Sequence, residues 1–506
     1  MSAFFKRKRK ISLSFFIFPL IHVAIAVPLA YHLNIWSDEA SSLYSTQGGF
    51  YLTLGNSFNE KQAPLYFIFL GAWRLFDDSI FFARLFSVIC SVFSIGAFFL
   101  VVRRFWNEKT GLFATFFFSV HPYLVWASIE IRVYALVILL SLLILLLFEK
   151  QFMRDANGGG WQRIAFVPLT VIALYTNIYL GFLLAGLFVV LVLSKRYRSA
   201  RGYLIQMGIT SAFFLPLVLF ISSGIGKGLD GAAFDYGTLE GLRRVWQHLL
   251  YFGLPTELLP PDQQTSISFV RVWAARLIVI AGAVALLTRR FWPDSRTIVF
   301  GTSSLVISGF LILAYFLLGT LYVEIRHAAV LFAPFILFLL AVLSRLAPTG
   351  RMRSWYVGAV SVILIFFYSY GFTALYPDFI KRGDWARVAA FVESNEKPGE
   401  PVVVFRNYEA LAFAQNYDGP NQVLPEERYF DWNYEGDAGT PSMWPKQIEY
   451  VISVFPRDAK RVWLVTEETC HKTPACGPLD KFVKENYTVV LQKDFYSERV
   501  RLLKKR

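Results

Sequence analysis

Apolar segments near residues 11–33, 79–102, 111–128, 132–148, 164–177, 179–193, 204–222, 269–288, 297–318, 328–343 and 354–372 dominate this chain, and short basic blocks separate them. An α-helix needs about 17 to 25 apolar residues to cross a bilayer. A chain carrying so many such segments has one economical solution, a polytopic membrane protein. The bulk numbers agree: of 506 residues, 55% are hydrophobic and 17% charged. The first segment has no small-residue cleavage pattern after it, and it reads as a retained helix rather than a removed signal.

Charge supplies orientation. Lys6-Arg7-Lys8-Arg9-Lys10 precedes the first segment, and Arg103-Arg104, Lys150 to Arg154, Lys195-Arg196-Tyr197-Arg198, Arg289-Arg290, and Arg345 with Arg351 and Arg353 recur between later ones. The net charge of +14 on its own would suit a nucleic-acid partner. Basic blocks placed between apolar runs are instead what orientation in a membrane produces, and nucleic acid is excluded on that ground. Alternation from a cytoplasmic start puts every block inside and everything after Tyr376 outside. Pro64 to Phe76 is apolar but only thirteen residues long. It is either a re-entrant or interfacial helix or a span completed by its neighbours. The expected count is therefore eleven to thirteen transmembrane helices, with the parity between residues 60 and 105 left open.

The expected domains are a multispan unit over 1–375, with outer loops at about 34–63 and 223–268, and a soluble extracytoplasmic α/β domain over 376–506. Within the second loop, Leu239 to Phe252 is amphipathic and suits the outer membrane surface. In the soluble domain, Asp384 to Val392 and Leu411 to Tyr417 have helical spacing, while Pro401 to Phe405, Tyr450 to Phe455, Arg461 to Val465 and Thr488 to Gln492 read as strands. Cys90 sits in an apolar helix as a small core residue. Cys470 and Cys476 lie where oxidation is permitted, and a local disulfide is expected. With His471 alone between them they make a poor zinc site.

Asp38 and Glu39 follow the first apolar segment directly and emerge on the far face, where carboxylates beside lipid cost desolvation and suggest work on a substrate. The competing reading is an ordinary polar helix end. Downstream, Asn59-Glu60-Lys61-Gln62-Ala63-Pro64-Leu65-Tyr66 and Phe82-Ala83-Arg84-Leu85-Phe86-Ser87 are followed by His121-Pro122 and by Ala127-Ser128-Ile129-Glu130-Ile131-Arg132-Val133-Tyr134-Ala135. Tyr175-Thr176-Asn177, Arg326-His327 through Pro334, and Asp384-Trp385 complete the series. In this order the elements resemble the bacterial relatives of protein O-mannosyltransferases and lipid A aminoarabinose transferases, multispan enzymes of the GT-C fold. Asn177 and His327 depart from the commoner His and Tyr of their elements, which weakens any transfer of donor or acceptor identity.

That resemblance implies an inner-membrane enzyme that moves a sugar from a polyprenyl-phosphate donor to lipid A, another glycolipid, a polysaccharide or a protein. It makes Asp38 the general base and Glu39 the group that orients the acceptor or tunes Asp38, with the two roles exchangeable. Arg132, then Arg326, then Lys61 are the candidate partners of the donor phosphate, against the alternatives of snorkelling or salt bridging. Arg84 suits a helix-locking role. Glu130 either lines the cavity or neutralises Arg132, and Tyr66, Tyr134, Asn177 and His327 are further lining candidates. No cofactor is required by these residues. A divalent cation at Asp38 and Glu39 stays open, without a complete ligand set. The soluble domain either bounds the acceptor entrance or caps the outer loops. The alternative functions are a lipid or solute transporter, which would place polar breaks at mid-bilayer, and a non-catalytic envelope assembly protein.

Overall fold

A computed structural model describes residues 13–59, 63–153, 161–228, 239–255, 273–274, 276–277, 280, 294–318, 324–376, 381, 383–405, 407–425, 444–467, 470, 476–495 and 498–506. The first part of the chain runs through α1 (Ile17–His32), α2 (Ser37–Ser45), α3 (Phe50–Asn59), α4 (Leu65–Arg74), α5 (Ile80–Phe105), α6 (Glu108–Ser119), α7 (Pro122–Ile129), α8 (Tyr134–Phe148), α9 (Trp161–Thr176), α10 (Leu180–Leu193), α11 (Tyr197–Gly228), α12 (Glu240–Gly253), α13 (Ser295–Leu318), α14 (Ala329–Leu346) and α15 (Met352–Leu375). Among the described residues six helices are long and apolar enough to cross a membrane, or up to eight if the bent pairs α1 with α2 and α6 with α7 each count as one span. The expected segments 164–177 and 179–193 form α9 and α10, of 16 and 14 residues, short for a bilayer. The expected segment 269–288 lies mostly outside the described residues, as do the basic cluster at 6–10 and residues 229–238 and 256–268 of the second outer loop.

Two bends shape the bundle, and the one within 111–128 corrects the segment reading. The run 111–128 is two helices at 56°, because Pro122 has no N–H to continue α6 and its ring would meet the carbonyl four residues back. His121 starts the new helix by accepting the Tyr123 N–H on Nδ1 at 3.1 Å. The second bend, 88° after α1, turns α2 away from the bilayer normal.

Hydrogen bonds sort the helix ends into two groups. At one end Arg84 donates to the carbonyls of Ala30 and Leu33 at 2.9 and 2.6 Å, and Ser87 donates to the Glu130 carbonyl at 2.6 Å. At the other, Arg104 donates to the Leu146 carbonyl at 3.1 Å, and Trp106 donates to Ser344 Oγ at 3.0 Å. The end of α1 and the start of α5 therefore share one face, and α2, α3 and α4 lie on it. This settles the parity around residues 60–105: the ten-residue α4 does not span.

The soluble domain holds α16 (Trp385–Asn395), β1 (Val402–Phe405), α17 (Asn407–Ala414), β2 (Val423–Leu424), α18 (Trp444–Ser453), β3 (Arg461–Glu467), α19 (Gly477–Asn486), β4 (Tyr487–Asp494) and β5 (Glu498–Lys505). The sheet order is β2-β1-β3-β5-β4, with β1 parallel to β2 and β3, and β5 antiparallel to β3 and β4. Tyr450 to Phe455, expected as a strand, belongs mostly to α18. Ile448, Val451 and Phe455 are all buried, and their spacing of three and four is helical. Alternation divides the sheet. Val403, Phe405, Val462 and Leu464 face a core with Cys470 and Cys476, which form a disulfide. Val402, Val404, Trp463 and Val465 face α16 and α17, in a core continuous with Ile35, Ala40 and Leu43 around α2. The soluble domain thus packs directly on the helix that carries the acidic pair.

Candidate active site

Helix α2 is nine residues long, too short to persist alone. Asp38 and Glu39 in its first turn face the positive end of the helix dipole. It stops at Thr46, before Gly48 and Gly49, whose φ values of +84° and +90° suit glycine. The two carboxylates diverge from this short helix into different surroundings.

Asp38 stays partly open, its side chain 24% exposed. Arg326 donates through Nη1 to Asp38 Oδ2, and Arg132 Nη2 stands 3.8 Å from the same oxygen. Arg132 Nη1 also donates to the Asp38 carbonyl at 3.2 Å and to Ser42 Oγ at 3.1 Å. Arg326 is steadied by Glu324 at 2.8 Å and lies over the Trp36 ring, 5.9 Å from its centroid. One carboxylate between two guanidiniums, with all three groups reaching solvent in part, is an arrangement that a second anion can enter.

Glu39 is fully buried. Its Oε1 accepts from Arg84 Nε at 3.3 Å and from the Ile131 N–H at 3.0 Å, and its Oε2 accepts from Arg84 Nη2 at 3.2 Å. Lys381 Nζ lies 2.7 Å from Glu39 Oε2 and 2.9 Å from Glu130 Oε1, while Trp36 Nε1 donates to Glu130 Oε2 at 2.8 Å. Burial pushes the Glu39 carboxyl up, but Arg84 and Lys381 more than offset it and hold it below its ordinary range. At Glu130 burial outweighs Lys381, and its carboxyl lies above that range.

This geometry separates the sequence candidates. Asp38, Arg132 and Arg326 come together, whereas Glu39 has its oxygens engaged inside the protein, so an exchange of roles with Asp38 does not fit. Glu130 pairs with Lys381 and Trp36, not with Arg132, and does not face an open cavity. Tyr66 and Tyr134 are buried, the latter stacked on Trp126. Asn177 accepts the Tyr179 N–H at 2.9 Å, and Tyr179 stacks on His327 at 5.5 Å. Lys61 lies outside the described residues.

Residues 61–221 match the family model described as dolichyl-phosphate-mannose-protein mannosyltransferase. The whole chain is similar to ArnT from Cupriavidus metallidurans in the apo state, with a TM-score of 0.55 and 10% identity over 96% of this chain and 97% of that one. It is similar to the same protein bound to undecaprenyl phosphate, with a TM-score of 0.56, 10% identity and the same coverage. The chain has the GT-C glycosyltransferase fold. No curated protein sequence matches it. In this GT-C fold the bundle has six helices long and apolar enough to cross a membrane among the described residues, and the soluble domain follows it in the chain.

Two participants carried no local sequence signal as site residues. Trp36 stands two residues before Asp38 and Lys381 near the start of the soluble domain, and neither is singled out by the sequence, yet both reach the buried carboxylates. Among the described residues no three His, Cys, Asp or Glu side chains stand together as a metal site would require. Asp38 and Glu39 both face cationic side chains instead, and they do not fit a divalent ion.

Proposed function

We propose that this protein transfers a sugar from a polyprenyl-phosphate donor to a hydroxyl or amine of an envelope glycolipid, glycan or protein, on the outer face of the cytoplasmic membrane. The observation that carries this reading is Asp38, partly open between Arg132 and Arg326 at the outer end of the bundle. A long isoprenoid tail stays in lipid while its phosphate and sugar sit at the helix ends, where these three groups are. The GT-C relative bound to undecaprenyl phosphate supports that class of lipid.

The chemistry follows from charge. The donor phosphate competes with Asp38 for the two guanidiniums, whose planar forks match phosphate oxygens. Once they turn to the phosphate, the Asp38 carboxylate is free to accept a proton. In a single inverting displacement the acceptor oxygen or nitrogen attacks the anomeric carbon, its proton passes to Asp38, and the carbon–oxygen bond to phosphate breaks with its electron pair leaving on the phosphate. Arg132 and Arg326 stabilise that charge as it develops. Glu39 keeps α2 in place and makes no contact with either substrate.

The test compares envelope lipids and glycans by mass spectrometry in cells lacking the gene, complemented with the native protein or with Asp38→Asn. Loss of the base is expected to slow transfer about 100-fold or more, so the same sugar should be missing from the deletion and from the Asp38→Asn cells. Full restoration by Asp38→Asn at equal protein level overturns the assignment.

A further inference from the structure

Lys381 comes from the segment that opens the soluble domain, yet its side chain is 4% exposed and lies between two buried carboxylates. The positions of those carboxylates matter. Glu39 immediately follows Asp38, and Glu130 precedes Arg132 by two residues. One ammonium therefore joins the helix bearing the proposed base to the turn bearing a proposed phosphate clamp. We propose that Lys381 is a positioning residue for the transfer reaction, holding Glu39 and Glu130 together and so setting the spacing between Asp38 and Arg132. The proposal rests on the reading of Asp38 and Arg132 given above.

The backbone around Lys381 is fixed from both sides. Its N–H donates to Asn34 Oδ1 at 2.9 Å, and Asn34 Nδ2 donates back to the carbonyls of Lys381 and Gly383. On the domain side the Asp384 N–H donates to Glu498 Oε2 at 2.9 Å, which ties the segment to β5. The soluble domain is thereby part of what aligns the site: its strand β5 holds Asp384, Asn34 holds Gly383 and Lys381, and Lys381 holds the two carboxylates. Glu39 and Glu130 carry two negative charges, and Arg84 and Lys381 two positive ones. Charge balance alone would be met equally well by removing one of each, whereas the spacing requires the bridge.

That difference supplies the test. In the complemented cells, the rate at which the sugar absent from Asp38→Asn cells appears on its acceptor is measured per unit of protein for Lys381→Met, Lys381→Arg and Lys381→Met with Glu130→Gln. Thermal unfolding of each purified protein in detergent is measured alongside. We expect Lys381→Met to slow transfer about tenfold or more, Lys381→Arg to recover most of the rate, and the double variant to unfold near the native midpoint while staying slow. Native-rate transfer by Lys381→Met or by the double variant overturns the proposal, because neutralisation would then be the whole role. Should Lys381→Met fail to fold, the charge-balanced double variant carries the test. If Asp38→Asn is inactive while both methionine variants are at the native rate, the positioning role fails and the transferase reading stands. If Asp38→Asn is active, the transferase reading itself fails.

Discussion

At the scale of single residues, the division of labour between two adjacent carboxylates is the central feature. Asp38 and Glu39 have the same chemistry, but one is 24% exposed beside paired guanidiniums and the other is enclosed by Arg84, Lys381 and a backbone N–H. A charge that reacts must exchange partners, and only Asp38 has room to do so. The guanidiniums are expected to be judged by the same criterion. A charge-assisted hydrogen bond contributes about 1.5–3 kcal/mol, so Arg132→Ala and Arg326→Ala should each weaken binding of undecaprenyl phosphate by about tenfold or more, read as the shift in thermal unfolding with lipid concentration. Lysine at either position keeps the charge but not the fork and should recover only part of the affinity. Unchanged binding in both alanine variants would place the phosphate elsewhere. Much of this triad was legible in the sequence, because an acidic pair after a first span and arginines near later outer helix ends are local patterns. Lys381 was not, since nothing in Lys381-Arg382-Gly383 distinguishes a buried bridge from a solvated junction. Its role exists only through contacts more than 200 residues away in the chain.

At the scale of elements, the bundle is held by close approach more than by apolarity, because lipid is as apolar as the helix surfaces and helices associate through packing. The 14-residue α10 shows this. A methyl group added at Gly186 would come within 3.0 Å of Ser303 Cα on α13, so the two backbones meet there with no space for a side chain. Gly186→Leu is expected to force α10 and α13 apart and to destabilise the protein by about 1–3 kcal/mol, seen as a lower unfolding midpoint in detergent. Gly202→Leu, on α11 where an added methyl meets nothing within 4 Å, should leave the midpoint near the native value. Equal effects of the two changes would argue against backbone contact as the cause. Apolar length located most of these helices from sequence, but length carries no information about direction. The break after α6 was missed for that reason, although Pro122 marks it, whereas the first apolar segment was ended at residue 33, one residue past the end of α1. Likewise Tyr450 to Phe455 has the β-branched and aromatic content of a strand, and only the burial of Ile448, Val451 and Phe455 on one face reveals its helical period.

At the scale of the whole molecule, charge is distributed between two ends. Arg104, Lys150, Arg196 and Arg345 lie at one end of the spans and the acidic pair with its guanidiniums at the other, next to a soluble domain closed by the Cys470–Cys476 disulfide. Positive residues at helix ends favour the cytoplasmic side, and a disulfide persists in an oxidising compartment. The two features therefore give the same orientation by independent physics. Cysteine use makes this directly measurable. Of three cysteines, two are in the disulfide and Cys90 is buried, so one introduced cysteine on the surface is the only readily reactive thiol. Ala386 and Lys109 are both exposed, at the outer and inner ends. Ala386→Cys should react with a membrane-impermeant maleimide in right-side-out vesicles, and Lys109→Cys only in inside-out vesicles. The reverse pattern would put Asp38 in the cytoplasm. The soluble domain would then meet a reducing compartment, and the base would face away from any acceptor displayed outside. On the proposed function the expected pattern also constrains the donor, since its phosphate and sugar would have to be on the outer leaflet already for Arg132 and Arg326 to turn from Asp38 to meet them.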